Sequence, residues 1–308
     1  MTLVEAVPPC QSDGMVSEKH PEFELLAVVD FSAAASPGPK RPTENRCWAA
    51  LAVLGRRLDP VYCRTRQDLL ELLHGALAEV AGPALIAWDF PFGYPVGSGL
   101  GGGRAAAQLL FGLVEDGPKD ANNRFDVADR LNRRIGNPPG PFWGRPRTQA
   151  AETVYETRPP FGHHGFTEWR LVERQVREAG HKSIQSVWKL AYAGSVGSQA
   201  LMGLALIERL NRSLDRSRRT LYWPFETGWN ADLDGVVHVE CWPTLFPFED
   251  QPYAIRDARQ VAATRDGLLG AQNEGYLVDM LAAPASLTAA EREAVMTEEG
   301  WILGFPSR

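Results

Sequence analysis

Three acidic residues close apolar runs in this sequence of 308 residues. Asp30 stands near the end of FELLAVVDFSA, Asp89 near the end of the apolar part of PALIAWDFPFGYP, and Glu240 within VVHVECWP. A buried carboxylate without a partner is costly, so it takes up a proton, pairs with a base or binds a cation. No Lys or Arg occurs in any of the three runs. An Asp before a turn often caps the loop that follows, but three acids in comparable positions favour a shared cation site.

The ligand type indicates which cation this site would take. Oxygen ligands without a supporting histidine or cysteine suit Mg²⁺ or Mn²⁺ better than Zn²⁺. Such ions can orient an attacking water and neutralise charge on a phosphoryl group. Hydrolysis of a phosphodiester is therefore the reaction that the three acids predict.

The elements around these acids predict an α/β fold. Apolar runs and their closing residues predict five strands, at 23–33, 45–55, about 60–64, 83–89 and about 236–242. Leucines at helical spacing, followed by Gly82, predict a helix between the third and fourth strands. The chain therefore begins β-β-β-α-β. Ligands of open α/β sheets bind beyond the strand ends, where the three acids would converge.

The section between these strands, about 97–235, is less regular and is interpreted as an inserted helical cap. Helices are predicted through Leu113 and in NNRFDVADRLNRRIG, and amphipathic segments predict two more at about 167–179 and about 198–212. Further helices are predicted at about 257–281 and from Thr288, where SLTAAERE carries a capping box. Residues 1–22 are predicted to form a flexible polar tail, and residues 23–308 a single domain.

The segment AGSVGSQALMG could bind an anion at the start of a predicted helix. Its small residues are Gly194, Ser195, Gly197 and Ser198. Backbone N–H groups at a helix N-terminus bind phosphate when small residues allow close approach. The Lys-Ser/Thr pair of a Walker motif is missing, and an N-cap with tight packing is the alternative. We expect the segment to face the acids if it binds phosphate.

A group of arginines beside two aromatic residues is a second candidate for contact with nucleic acid. The group comprises Arg130, Arg133, Arg134, Arg145 and Arg147, with Phe142 and Trp143. Such a mixture can bind phosphates and stack on bases. A solvated helix face followed by a bent loop explains it nearly as well.

Composition excludes some classes of protein. No stretch of about eighteen apolar residues could span a bilayer. The net charge of −6 argues against non-specific coating of nucleic acid. The four cysteines form no CxxC pair, so free thiols are expected rather than a zinc ribbon or disulfides. We predict a cytoplasmic protein.

Several longer strings carry a resemblance to a known fold. They are VVDFS, AWDFPFGYP, NNRFDVADRLN, GPFWG, LAYAGSVGSQALMG, ECWP, IRDARQVAA and EEGWILG. With the order β-β-β-α-β, they resemble the ribonuclease H-like (RNase H-like) fold. More closely, the chain resembles an uncharacterised bacterial group within that fold, labelled as predicted nucleases or as molybdopterin guanine dinucleotide synthesis proteins.

The resemblance implies a mixed five-stranded sheet with flanking helices and a long helical insertion. It also implies that Asp30, Asp89 and Asp257 are catalytic metal ligands, with Glu240 as the additional acid of the closer group. An N-cap explains Asp257 equally well, because it stands at a predicted helix start. The implied activity is that of a nuclease or nucleotide hydrolase. The alternatives are a nucleotide-handling accessory of molybdopterin cofactor synthesis and a non-catalytic binding module.

Overall fold

The computed structural model describes residues 22–229 and 233–306, so nearly all of the predicted tail, 1–22, lies outside the described residues. The described residues contain one mixed sheet of seven strands. The strands are β1 Leu25–Asp30, β2 Cys47–Val53, β3 Arg56–Arg57, β4 Val61–Cys63, β5 Ala84–Trp88, β6 Thr220–Tyr222 and β7 Val236–Glu240.

The sheet is antiparallel on one side and parallel on the other. Its order is β3-β2-β1-β5-β7-β6, and β4 also pairs with β2. Strand β2 runs antiparallel to β1, whereas β5 is parallel to β1, and β7 is parallel to both β5 and β6. Parallel strands end at the same edge of a sheet, so the carboxyl ends of β1, β5 and β7 lie side by side.

The predicted count of five strands is wrong, because β3 and β6 are also present. Both are too short, at two and three residues, to leave an alternating or continuous apolar pattern. Strand β6 also corrects the boundary of the predicted insertion, 97–235. Thr220–Tyr222 pairs with β7 and therefore belongs to the main sheet.

The helices lie close to the predicted positions. They are α1 Arg66–Ala78, α2 Gly103–Phe111, α3 Arg124–Ile135, α4 Leu171–Glu178, α5 Gly197–Ser213, α6 Arg256–Asn273, α7 Leu277–Met280 and α8 Ala289–Ala294. The capping box predicted at Thr288 is confirmed, since its hydroxyl accepts from the Glu291 N–H and the Glu291 carboxylate accepts from the Thr288 N–H. A π-helical turn, Val295–Glu299, follows α8.

Helices cover both faces of the sheet. The apolar core on one face receives residues from α1, α2, α3 and α5. The core on the other face receives residues from α4, α6 and α7. Alternate strand residues enter the two cores, as Val29 and Val28 do. The acids at the strand ends are therefore held by strands whose other side chains are packed on both faces.

No helix among residues 22–229 and 233–306 is long and apolar enough to cross a membrane. Cys47, Cys63 and Cys241 are buried free thiols, and Cys10 lies outside the described residues.

Candidate functional site

Asp30 and Asp89 lie next to each other where β1 and β5 end. The register pairs Val29 with Trp88, and the Asp89 N–H donates to the Val29 carbonyl at 2.9 Å. Asp30 and Asp89 are the next residues on the two strands, so their side chains leave the same face of the sheet. Both are only partly accessible. The strand ends therefore hold a pair of carboxyl groups side by side.

Glu240 has a different setting from this pair. Its partner in the register is Trp88, the residue before Asp89, so its side chain leaves the opposite face of the sheet. Its two carboxylate oxygens accept hydrogen bonds from Nη1 and Nη2 of Arg170 at 2.8 and 2.6 Å. The Phe92 N–H donates to the same carboxylate at 3.0 Å. Strand β7 contains no Lys or Arg, but Arg170, 70 positions earlier in the chain, supplies the positive charge.

Arg170 joins more than one carboxylate. Its Nε and backbone N–H donate to Glu173, both at 3.0 Å, and Nη1 also donates to the Glu299 carbonyl at 2.7 Å. We call Arg170, Glu173, Glu240 and Glu299 the Arg170 cluster. Burial raises the pKa of Glu173 to about 7, although Arg170 opposes that shift. The cluster ties α4, β7 and the π-helical turn together.

Asp257 is held by the backbone of another segment. It is the second residue of α6, whose N-cap is Ile255, so the N-cap explanation of Asp257 is wrong. Its carboxylate accepts from the Asn45 N–H at 2.6 Å. It is buried, and burial raises its pKa while this hydrogen bond opposes the shift. Asp257 therefore comes to the strand ends from the helix that packs on the same face as Asp30.

The carboxyl groups raise one another's pKa. The pKa of Asp30 is raised well above its ordinary value by burial, then by Asp89 and Asp257, while Arg256 opposes the shift. The pKa of Asp89 is raised to about 7 by burial, then by Glu240 and Asp257. Burial and repulsion between carboxylates both disfavour the charged form. Near neutral pH this group of acids therefore holds protons that a cation could displace.

All four acids line one cavity of about 700 Å³, which we call the carboxylate cavity. The start of α5 forms part of another wall, through Ser195, Val196, Ser198 and Gln199. The Gln199 amide donates to the Phe31 carbonyl at 2.5 Å, which fixes this helix start next to β1. The segment predicted to bind phosphate therefore faces the same cavity as the acids.

The four small residues of that segment have separate roles. Gly194 and Ser195 line the cavity, as does Ser198, whose hydroxyl donates to the Leu190 carbonyl at 2.6 Å. Gly197 is not part of the cavity wall. A Cβ at Gly197 would lie 2.4 Å from the Val187 carbonyl oxygen, so glycine there permits close packing. Phosphate binding at this helix start stays a prediction.

The arginine group in residues 130–147 lies outside the carboxylate cavity. Arg133 bonds to Asp129 and Glu152, and Arg147 bonds to Glu156. Phe142 is fully buried in the core rather than available to a base. These contacts favour the interpretation of this group as a solvated surface.

The fit of a divalent ion depends on how many protein ligands it needs. Within the described parts of the chain, no three Asp, Glu, His or Cys side chains are grouped closely enough to hold a metal ion. Magnesium, however, usually keeps several waters and is held by one or two carboxylates together with substrate phosphate. The adjacent carboxyl groups of Asp30 and Asp89 fit that second arrangement.

Sequence patterns gave no sign of the Arg170 cluster. Arg170 and Glu173 lie in EWRLVERQV, a stretch with the polar residues of an ordinary amphipathic helix. A second residue that the patterns missed is Tyr192, which lines the cavity, is 61% exposed and has a positive φ of 73°. Positive φ is strained for a bulky residue and is often found at functional sites.

Comparison of the chain with protein-family models, with curated proteins and with solved structures found no match.

Proposed function

We propose that the protein is a metal-dependent phosphoryl-transfer enzyme, a nuclease or nucleotide hydrolase of RNase H-like fold. The observation that carries the proposal is the pair Asp30 and Asp89, adjacent and in register at the ends of two parallel strands, with Asp257 beside them. Burial raises the pKa of Asp30 and Asp89, and neighbouring carboxyl groups raise it further. A divalent cation in the cavity would favour the charged forms of these acids.

The strand order supports the RNase H-like part of the proposal. Antiparallel strands β4, β2 and β1 are followed across the sheet by parallel β5 and β7, with α1 between β4 and β5 in the chain. This is the arrangement that the sequence resemblance implies, with β3 and β6 as additions.

Each group of the carboxylate cavity has a proposed task. Asp30 and Asp89 would hold Mg²⁺ or Mn²⁺, and Asp257 would accept hydrogen bonds from water in the cavity. The bound ion would neutralise charge on the phosphoryl group and lower the pKa of the attacking water. At the start of α5, the backbone N–H groups of Ser198 and Gln199 would donate to the phosphate, since the Gly197 N–H already donates to the Lys189 carbonyl. Glu240 is assigned a supporting role, because Arg170 already occupies both of its oxygens.

A nucleobase in the cavity would need an aromatic side chain to stack on. Tyr192 offers an exposed ring at the cavity wall, and aromatic rings stack on bases of any sequence. This favours a nucleotide or single-stranded nucleic acid as the substrate.

A non-catalytic binding module remains the second candidate function. The observation that favours it is the lack of three grouped metal ligands in the described parts of the chain. In that case the cavity would take a ligand without turning it over. The accessory role in molybdopterin cofactor synthesis stays a prediction of the sequence resemblance.

Calorimetric titration with Mn²⁺ tests the proposal. Asp30→Asn removes one charged ligand at almost unchanged volume, so we expect weaker Mn²⁺ binding and loss of phosphodiesterase activity with the fold intact. Asp250→Asn is the matched control, because Asp250 is exposed and lies outside the cavity. Wild-type affinity should increase between pH 6 and pH 8, since binding releases protons from Asp30 and Asp89.

Activity should be measured on single-stranded and double-stranded nucleic acid and on free nucleotides, with and without a chelator. Equal Mn²⁺ affinity in wild type and Asp30→Asn would contradict the proposal. So would activity that survives both the substitution and the chelator. Mn²⁺ binding without turnover of any of these substrates would favour the binding module.

A further inference from the structure

Three arginines of the described chain line the carboxylate cavity, and they differ in what balances their charge. Arg170 is paired with Glu173 and Glu240. Arg256 lies near Asp30 and Asp257 and lowers the pKa of both. Arg124 has no carboxylate within ion-pair distance among the described residues, and no acid influences its pKa. One cation in this cavity is therefore left without an anion.

Neutral groups hold Arg124 in place. It is the first residue of α3, its guanidinium lies 4.5 Å from the centre of the Phe125 ring, and Nη1 donates to the Asn122 side chain at 2.8 Å. The Asn122 amide itself donates to the Ala34 carbonyl at 3.2 Å, just beyond β1. Within residues 22–229 and 233–306, the buried Nε of Arg124 has no acceptor, and Nη1 donates to Asn122. The side chain is thus positioned while part of its hydrogen-bonding capacity stays unused.

A partly buried guanidinium without a counterion is unusual, because arginine is rarely buried unless it is paired. Burial, followed by repulsion from Arg66, lowers the pKa of Arg124 to about 10, so the group remains charged near neutral pH. The start of α5 lies in the wall of the same cavity, and a helix N-terminus carries partial positive charge. Two independent features therefore favour an anion in this part of the cavity.

We propose that Arg124 binds the phosphoryl group of the ligand, a phosphate or phosphoester anion, in the carboxylate cavity. The planar guanidinium offers parallel N–H groups that match two oxygens of a phosphate. The unused donors of Arg124 supply hydrogen bonds to the anion, and the start of α5 supplies further N–H groups. The choice of phosphate rather than another anion rests on the proposed function.

Titration of the metal-free protein with inorganic phosphate at low salt tests the role of Arg124. We expect Arg124→Gln to bind phosphate about tenfold more weakly than wild type, because it loses a charged donor. Arg134→Gln is the matched control, since Arg134 is an exposed arginine of the same helix outside the cavity. It should bind phosphate as wild type does. Equal phosphate affinity in Arg124→Gln and wild type would overturn the inference.

A thermal melt shows whether the variant is folded. Without phosphate, we expect Arg124→Gln to melt at or above the wild-type temperature, because it removes an uncompensated charge. Phosphate should raise the melting temperature of wild type more than that of the variant. If Arg124→Gln does not fold, Arg124→Lys replaces it, since lysine keeps the charge but lacks the planar fork. Unweakened phosphate binding by Arg124→Lys would then overturn the inference.

The same titration with a nucleoside 5′-monophosphate and with a short oligonucleotide identifies the source of the phosphate. Weaker binding of inorganic phosphate by Arg124→Gln supports the inference, and weaker binding of the nucleotide or the oligonucleotide in addition identifies that ester as the source. The outcome is separable from that of the proposed function. Phosphate binding that requires Arg124, in a protein without metal-dependent turnover, would support the anion site and contradict the proposed enzymatic activity. Turnover with unchanged phosphate binding in Arg124→Gln would do the reverse.

Discussion

Two groups of acids share the carboxylate cavity, and they differ in what balances their charge. In the Arg170 cluster, Glu240 accepts two hydrogen bonds from a buried guanidinium. At the ends of β1 and β5, Asp30 and Asp89 lie among other carboxyl groups that raise their pKa values. Arg256 lowers the pKa of Asp30 but does not cancel the rise. A buried acid that is paired destabilises the fold when its partner is removed, whereas crowded acids destabilise the fold until a ligand arrives. Acids in similar sequence positions therefore have different roles.

The largest effect is expected where the pairing is broken. Arg170→Met leaves Glu173 and Glu240 buried without their cation, so the free energy of unfolding should fall by about 3–5 kcal/mol. Urea denaturation monitored by tryptophan fluorescence measures this change. Arg133→Met is the control, because Arg133 forms its ion pairs at the surface, and its unfolding midpoint should stay near that of wild type. If Arg170→Met changed the unfolding free energy as little as Arg133→Met does, the proposed difference between the Arg170 cluster and the acids at the strand ends would be contradicted.

A smaller effect of opposite sign is expected from Asp89→Asn in the metal-free protein. The folded-state pKa of Asp89, about 7, lies above that of the unfolded chain. The stability that this proton contributes is therefore fully present below about pH 4 and is lost as pH rises to 7. At pH 8 the variant should exceed wild type by about 2 kcal/mol in unfolding free energy, because the partial accessibility of Asp89 screens part of the effect, and the difference should shrink as pH falls and vanish near pH 4. Denaturation at both pH values measures it, and a gain independent of pH would contradict the prediction.

The smallest effect is expected from Glu173→Gln at pH 6. The raised pKa of Glu173, about 7, means that its carboxyl group is largely protonated there, and an amide has nearly the same shape. The change in unfolding free energy should be about 1 kcal/mol or less. Glu240→Gln is the matched comparison and should cost more, because Glu240 holds the bidentate contact with Arg170. Equal losses in the two variants would show that both acids share the charge of Arg170.

The sequence predicts the strand ends that carry the acids, but it does not predict the face of the sheet on which each acid lies. Apolar runs closed by acids, prolines and turns located β1, β5 and β7 to within a few residues. The face of an acid depends on the register to a single residue, since a shift by one moves every side chain to the other face. Glu240 is level with Trp88 rather than Asp89, and no pattern in the run VVHVECWP indicates that.

Contacts between side chains of distant segments could not be predicted from the sequence either. Arg170 lies 70 residues before Glu240, and a single arginine in an amphipathic helix carries no signal of a buried partner. Arg124 likewise stands in a run whose other arginines are exposed or paired. The start of α5, in contrast, was predictable because glycines and serines before an apolar helix form a local pattern.

The contacts of the Arg170 cluster also bear on when the cavity is completed during synthesis. The Leu303 N–H donates to the Glu240 carbonyl at 2.9 Å, and the Val96 N–H donates to the Glu299 carboxylate at 3.0 Å. Such pairings across some 60 to 200 residues slow folding, because a long loop must close before they form. On the ribosome, β1 and β5 can pair early, yet the cavity reaches its final shape only after residues 299–303 have emerged. A nascent chain therefore carries Asp30 and Asp89 well before it carries a finished cavity.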